Sequence, residues 1–146
     1  MADQPSVHIV DASVAIKLFL PEEHSENAER LFARLDSGRP FSLAAPDLLF
    51  IECAQVLWKR VTFKDMQREE AGRALATLLA LPIASVPAAQ LAPAALALAM
   101  RLGITAYDAC YAALAQDLGA PLVTADKRLA EKLSKGRVTA LWLGDC

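Results

Sequence analysis

Residues Ile104 to Asp126 read Ile-Thr-Ala-Tyr-Asp-Ala-Cys-Tyr-Ala-Ala-Leu-Ala-Gln-Asp-Leu-Gly-Ala-Pro-Leu-Val-Thr-Ala-Asp, and this stretch decides the fold. Its first half is written as a helix. Thr105 stands at an N-cap position and Asp108 three residues on, the spacing of a capping box. Tyr107, Tyr111, Leu114 and Leu118 recur at helical spacing and predict one apolar face. Gly119 suits the left-handed stop that ends many helices. Pro121 to Thr124 is short, apolar and β-branched, which predicts a buried strand leading to Asp126. One carboxylate thus lies on the first turn of a helix. Another lies just past the C-terminal end of a strand, where open α/β sheets bind ligands. Taken singly, Asp108 reads as a first-turn acid facing the helix dipole and Asp126 as the N-cap of the next helix. Their meaning depends on whether other acids occupy equivalent places.

Working outward, Val7 to Val10 is an apolar run ending on Asp11, which predicts a first strand with a carboxylate at the same edge. A short helix, Val14 to Leu20, follows and is closed by Pro21. Ser25 is the expected cap of a second helix reaching about Asp36, with Ala28, Leu31, Phe32 and Leu35 inward and Gly38 as its stop. Phe41 to Ala44 is a weaker second strand. Pro46 suits the first position of a third helix and Asp47 its positive end. That helix, to about Val61, is apolar nearly all round, which predicts burial on more than one side. Glu52 lies in the middle of it, where a carboxylate is costly unless it binds a cation or is paired, for example with Lys59. Asp65 is the expected cap of a fourth helix reaching about Leu81. Then come a strand at Ile83 to Val86, a helix at Ala88 to Leu102 stopped by Gly103, a basic helix after Asp126 and a last strand at Val138 to Leu143.

Strands alternating with helices imply a parallel sheet covered on both faces, and 146 residues suit a single domain, 1–146. Hydrophobic content of 55% and mean hydropathy of +0.30 are high for a small monomer, which predicts apolar surface that meets a partner or a second copy. The net charge of −2 carries no global signature of a nucleic-acid binder, although Lys127, Arg128, Lys132, Lys135 and Arg137 crowd the end of the chain. Cys53, Cys110 and Cys146 are odd in number and widely spaced, which argues against disulfides and zinc ribbons. With an N-terminus lacking the features of a signal peptide, they predict a cytoplasmic protein. Ala74 to Met100 carries no charge, but Pro82, Pro87 and Pro93 interrupt it, so no membrane span is expected.

Asp11, Glu52, Asp108 and Asp126 share one description: an acid beside or within an apolar element. Four carboxylates brought into one crevice repel each other and call for a counter-charge. Hard divalent cations take such oxygen ligands, and a cation so held can activate water for attack on a phosphodiester. At these residues the chain resembles the PIN-domain ribonucleases, in particular the VapC toxins of type II toxin–antitoxin pairs. The matching pieces are Ile9-Val-Asp-Ala-Ser-Val-Ala-Ile-Lys-Leu, Pro46-Asp-Leu-Leu-Phe-Ile-Glu, Thr105-Ala-Tyr-Asp-Ala-Cys-Tyr-Ala-Ala-Leu-Ala and Leu122-Val-Thr-Ala-Asp-Lys-Arg-Leu. They span nearly the whole chain in the family's order.

The resemblance implies a three-layer α/β fold whose five-stranded parallel sheet has the order 3-2-1-4-5, which sets the strand before Asp11 beside the strand before Asp126. It implies Mg²⁺ or Mn²⁺ on Asp11, Glu52, Asp108 and Asp126, with hydroxyls of Ser13 and Thr124 nearby. It implies a metal-dependent endoribonuclease toxin, a homodimer, and neutralisation by a VapB-like antitoxin. Lys127, Arg128 and Lys132 are the candidate contacts to RNA phosphates. Two alternatives are a non-catalytic PIN-like binding module and a PIN nuclease of RNA processing. An aspartate-based phosphatase or receiver domain also puts acids at strand ends, but Asp11-Ala-Ser lacks the second acid two residues on.

Overall fold

The computed structural model describes residues 5–146. Five short strands, β1 (Ser6–Val10), β2 (Phe41–Pro46), β3 (Ile83–Val86), β4 (Leu122–Thr124) and β5 (Ala140–Trp142), form one sheet in the order β3-β2-β1-β4-β5. Every neighbouring pair is parallel. The expected order is therefore observed. β1 stands between β2 and β4, with Ile9 opposite Leu122 and Val10 opposite Val123. Parallel sheets need covering on both faces, and their central strands accordingly read as unbroken apolar runs. Ile9, Val10, Leu43, Leu122 and Val123 are all fully buried.

The helices are α1 (Ala12–Ala15, continued as a 3-10 turn to Leu18), α2 (Ser25–Ala33), α3 (Leu48–Phe63), α4 (Arg68–Ala80), α5 (Ala88–Leu102), α6 (Ala106–Leu118) and α7 (Lys127–Ser134). α6 packs on the centre of the sheet, against β1, β2 and β4, and every residue from Ala109 to Ala115 is buried. Its alanines let the backbone approach the sheet closely, while Tyr111 and Leu114 fill the larger gaps. Tyr107 and Leu118, expected on the buried face, lie exposed at the two ends of the helix. Thr105 caps α6 by accepting a hydrogen bond from the Asp108 amide at 3.0 Å, and Gly119 ends it at φ 60°, both as expected. No single helix among the described residues is long and apolar enough to cross a membrane.

Three local expectations are corrected. Pro46 closes β2 opposite Val86 instead of opening α3; a residue without an N–H fits a strand end as well as a helix start. Asp47 then joins two elements: its amide donates to the Val86 carbonyl at 2.8 Å, and its Oδ1 accepts from the Ala88 amide at 2.9 Å at the start of α5. Ser25 lies inside α2, whose N-cap is His24 at φ 67°, and its hydroxyl braces the preceding turn by donating to the Leu20 carbonyl. Asp65 caps nothing, because α4 begins one turn later, after Gln67. α3 also departs from expectation in its packing. Leu49, Cys53 and Leu57 are buried, whereas Ile51, Trp58 and Phe63 are more than half exposed.

Candidate active site

The sheet order brings the C-terminal ends of β1 and β4 together, and the four acids follow from that. Asp11 is the first residue after β1 and caps α1, its Oδ1 accepting from the Val14 amide at 3.2 Å. Asp126 follows β4 and caps α7, its Oδ1 accepting from the Leu129 amide at 3.1 Å. Asp108 sits on the first turn of α6, and Glu52 on the second turn of α3. All four line one cavity of about 250 Å³, together with Ser13 and Tyr111. The residues expected to share a site therefore share a wall, although they come from four elements spread along nearly the whole chain.

Two hydroxyls organise the floor. Ser13 Oγ donates to Asp11 Oδ1 at 2.5 Å and accepts from the Ala125 amide at 2.9 Å, stapling the end of β1 to the end of β4. Thr124, fully buried, lies 3.4 Å from Ser13 through its own hydroxyl and accepts from the Asp126 amide at 3.1 Å. Glu52 has no ion pair with Lys59; its Oε1 accepts instead from the Tyr111 hydroxyl at 2.7 Å. Helical spacing marks Tyr111 only as an apolar contact. The signal for more is its place one turn beyond Asp108 on the same helix, since a buried tyrosine carries a hydroxyl that needs a partner.

The carboxyls pay for burial in their acidity. Burial pushes Asp11 up to about 6 from an ordinary 3.8, against hydrogen bonds from Ser13, Thr124 and the Val14 amide, with the charge of Asp108 adding to the rise. Burial likewise raises Glu52, opposed by the Tyr111 hydrogen bond and reinforced by Asp108. It raises Asp108 too, with Thr105 opposing, Asp126 reinforcing and the Lys132 ammonium opposing. Cys53, behind Glu52 in the core, is driven to about 12 by burial and by the nearby Glu52 and Asp11 charges, so its thiol is inert.

The donor set is all oxygen, which suits a hard divalent cation. Among the described residues no three acidic, histidine or cysteine side chains close on a common point as a ready-made cage. An open cavity of about 250 Å³ holds roughly eight waters at about 30 Å³ each. That fits Mg²⁺, which keeps much of its hydration shell and takes few protein ligands.

The three basic candidates separate. Arg128 and Lys132 line an adjoining cavity of about 300 Å³ that shares Asp108 and Asp126 with the first, and Lys132 Nζ also donates to the Gly103 carbonyl at 3.3 Å. Lys127 turns away, its ammonium 4.8 Å from the centre of the Trp142 ring. Asp117 is exposed, outside both cavities.

Removing only the Tyr111 hydroxyl isolates its role. Tyr111→Phe leaves the half-buried Glu52 without its partner. It is expected to cost about 1–2 kcal/mol in stability by urea unfolding, and about tenfold in any activity that needs Glu52 held in place. A variant as stable and as active as the parent would remove Tyr111 from the site.

The PIN domain family matches residues 8–133. Ribonuclease VapC3 of Pyrobaculum aerophilum is 39% identical over 128 residues, covering 85% of this chain and 92% of that protein. Among solved structures, VapC20 of Mycobacterium tuberculosis, a sarcin–ricin loop cleaving toxin, superposes with a TM-score of 0.67 at 18% identity, covering 85% of this chain and 93% of its own. VapBC2 of Rickettsia felis, solved bound to a DNA fragment from its promoter, gives 0.65 at 12% identity, covering 92% and 97%. The structures establish the likeness of fold, and the family match covers all four acid-bearing segments. By the family match and the 39% identity to a VapC ribonuclease, the chain belongs to the PIN-domain family and is VapC-like.

Proposed function

We propose that the chain is a metal-dependent endoribonuclease toxin of the VapC kind, working through Asp11, Glu52, Asp108 and Asp126. The observation that carries this reading is the convergence of those four acids on one open cavity. The 39% identity to a ribonuclease over 85% of the chain supports it. Asp11, Glu52, Asp108 and Asp126 would hold Mg²⁺ or Mn²⁺. When bound, the cation supplies charge neutralisation for the phosphodiester and lowers the pKa of water in its shell.

The rest falls to the chain's own side chains. An ionised carboxylate of the cavity accepts a proton from the attacking water; the water oxygen bonds to phosphorus, the bond from phosphorus to the ribose oxygen breaks, and that ribose oxygen takes a proton from solvent to leave as a hydroxyl. Ser13 braces Asp11 through Oδ1, and Tyr111 braces Glu52 through Oε1, which leaves the other oxygen of each carboxylate for the cation. Arg128 and Lys132, in the adjoining cavity, offer positive charge to the RNA backbone. Residues 1–146 act as one domain in the cytoplasm. The exposed Ile51, Trp58 and Phe63 on α3 are the apolar surface for a second copy or for a VapB-like antitoxin.

Purified protein incubated with total RNA and Mg²⁺ or Mn²⁺ should cut at a small number of sites. Expression without an antitoxin should arrest growth. Metal bound with no cleavage of any RNA would replace this reading with that of a PIN-like binding module.

A further inference from the structure

The acid cavity has two sides. On one, Asp108 and Asp126 are shared with the adjoining cavity of Arg128 and Lys132. The other side is built by α1 with the turn that continues it, through Ser13 and Ile16, and by α3, through Glu52 and Val56. An ion cluster lies just beyond this second side. Lys17 follows Ile16 directly in the chain. Arg60 stands one turn past Val56 and two past Glu52 on the same face of α3, about 12 Å along the axis from Glu52. Both cations reach one carboxylate, that of Glu22 in the turn before α2. Arg60 donates to its Oε2 at 2.8 Å, and Lys17 Nζ donates to its Oε1 at 3.5 Å. The Glu22 amide in turn donates to the Ser25 hydroxyl at 2.9 Å, which fixes the turn.

Two cations thus share one acid, and they are unequal. The Lys17 side chain is only 12% exposed, whereas that of Arg60 is 36% exposed. Among the described residues neither makes another ion pair. Arg60 commits one nitrogen to Glu22, and a guanidinium carries five N–H donors. An ion pair this exposed contributes little to stability. What the cluster does supply is a surplus positive charge beside four carboxylates, in a chain of net charge −2.

We infer that Arg60 binds an RNA phosphate flanking the scissile one, and that Lys17 frees it to do so by holding Glu22. The inference rests on the ribonuclease reading. A polyanion that crosses four carboxylates needs cations along its path. Arg128 and Lys132 provide them on the α7 side and Arg60 on the side of α1 and α3, so the strand is held at both ends of the acid cavity. At about 12 Å from Glu52 along α3, Arg60 meets a phosphate other than the one being cut. Its planar fork matches phosphate oxygens in pairs. The enclosed Lys17 ammonium answers the Glu22 charge, which would otherwise neutralise Arg60. Lys17 is therefore a positioning residue, and Arg60 is the contact.

The test is binding of a short fluorescein-labelled single-stranded RNA, read by anisotropy without metal in an Asp11→Asn, Asp108→Asn background. There the result does not depend on cleavage, and two of the repelling charges are gone. Arg60→Gln should weaken binding about fivefold at about 0.1 M monovalent salt and flatten the log–log salt dependence by about 0.7, the share of one single-strand phosphate. Glu22→Gln should do the opposite and tighten binding several-fold, because both cations are then unpaired. Lys17→Gln should weaken binding as Arg60→Gln does, and adding Glu22→Gln to it should restore the affinity. Urea unfolding confirms that each variant is folded; if Lys17→Gln is not, the opposite signs at Arg60 and Glu22 decide alone. With both aspartates restored and Mn²⁺ present, Arg60→Gln should raise KM for RNA several-fold and leave kcat within about twofold, since the contact lies away from the reacting atoms. RNA affinity and salt slope indifferent to Arg60→Gln would overturn the assignment. So would a Glu22→Gln variant that weakens binding as Arg60→Gln does, the result of a cluster that only braces α1 against α3. A protein that binds RNA through Arg60 yet never cuts it with Mn²⁺ would keep the contact and sink the nuclease reading alone.

Discussion

Asp11→Asn is expected to lower RNA cleavage by about a thousandfold and, in the same preparation, to make the metal-free protein more stable at neutral pH. The loss follows from the role proposed for the carboxylate: an amide neither accepts the proton of the attacking water nor binds a hard cation with comparable strength. The gain follows from burial. Asp11 is 5% exposed and titrates at about 6 instead of 3.8. Its folded-state pKa lies above its unfolded value, so the folded protein binds the proton more tightly. Its contribution to stability is therefore greatest below about pH 4 and is lost as pH rises towards and through about 6. About two units at 1.36 kcal/mol each put the cost at neutral pH at about 3 kcal/mol. Asparagine keeps an acceptor for Ser13 and the Val14 amide but buries an amide nitrogen, so the recovered stability is expected to be about 1–3 kcal/mol. Thermal unfolding from about pH 4 to about pH 8 checks this. The curves of variant and parent should coincide at the acid end, separate progressively between about pH 4 and about 6, and run parallel above that. A separation that stays constant from about pH 4 through about 6 would mean that Asp11 is not the titrating group.

Removing divalent cation should have the second large effect. Chelator is expected to reduce cleavage to background, with full recovery on adding Mn²⁺ or Mg²⁺ in excess. The same cations should raise the unfolding temperature, because they bind the folded cavity and find no equivalent in the unfolded chain; a hundredfold excess over Kd is worth about 2.7 kcal/mol. This stabilisation should depend on pH in the opposite sense to that of the empty site. Asp11, Glu52 and Asp108 all hold their protons more tightly than usual, so protons compete with the cation at about pH 5 and little at about pH 7.5. The cation-induced shift in unfolding temperature should be several-fold larger at the higher pH. Equal shifts at both pH values would mean that the cation binds elsewhere.

The elements that carry the site were legible because each is written locally. Val7 to Val10 before Asp11, Leu122 to Thr124 before Asp126, and Thr105 with Gly119 around α6 each combine an apolar run with a cap or stop in the same few residues. The adjacency of β1 and β4 came from likeness to a family, since no local signal states which strands are neighbours. Pro46 misled because a missing N–H is tolerated at a strand end and at a helix start alike. The bond from Tyr111 to Glu52 was invisible because its partners lie 59 residues apart and meet only in the folded chain. The exposed side of α3 reads as buried in the sequence because apolar periodicity reports what wants covering, and the described residues leave that side uncovered. The cavity between α2 and β5, lined by Arg30, Arg34 and Trp142, escaped the sequence altogether. Arg30, Arg34 and Trp142 belong to elements that come together only through β4 lying between β1 and β5.

The proposed function makes four acids from four elements one cation site and has that site cut RNA. Its most direct test is a Mn²⁺ titration of the parent and of Asp11→Asn, Glu52→Gln, Asp108→Asn and Asp126→Asn, with cleavage of one RNA measured in the same samples. Saturable binding is expected in the parent, weakened at least tenfold by each of the four substitutions, with cleavage falling as each carboxylate is removed. Mn²⁺ bound as tightly by all four variants as by the parent, or cleavage that survives them, would contradict it.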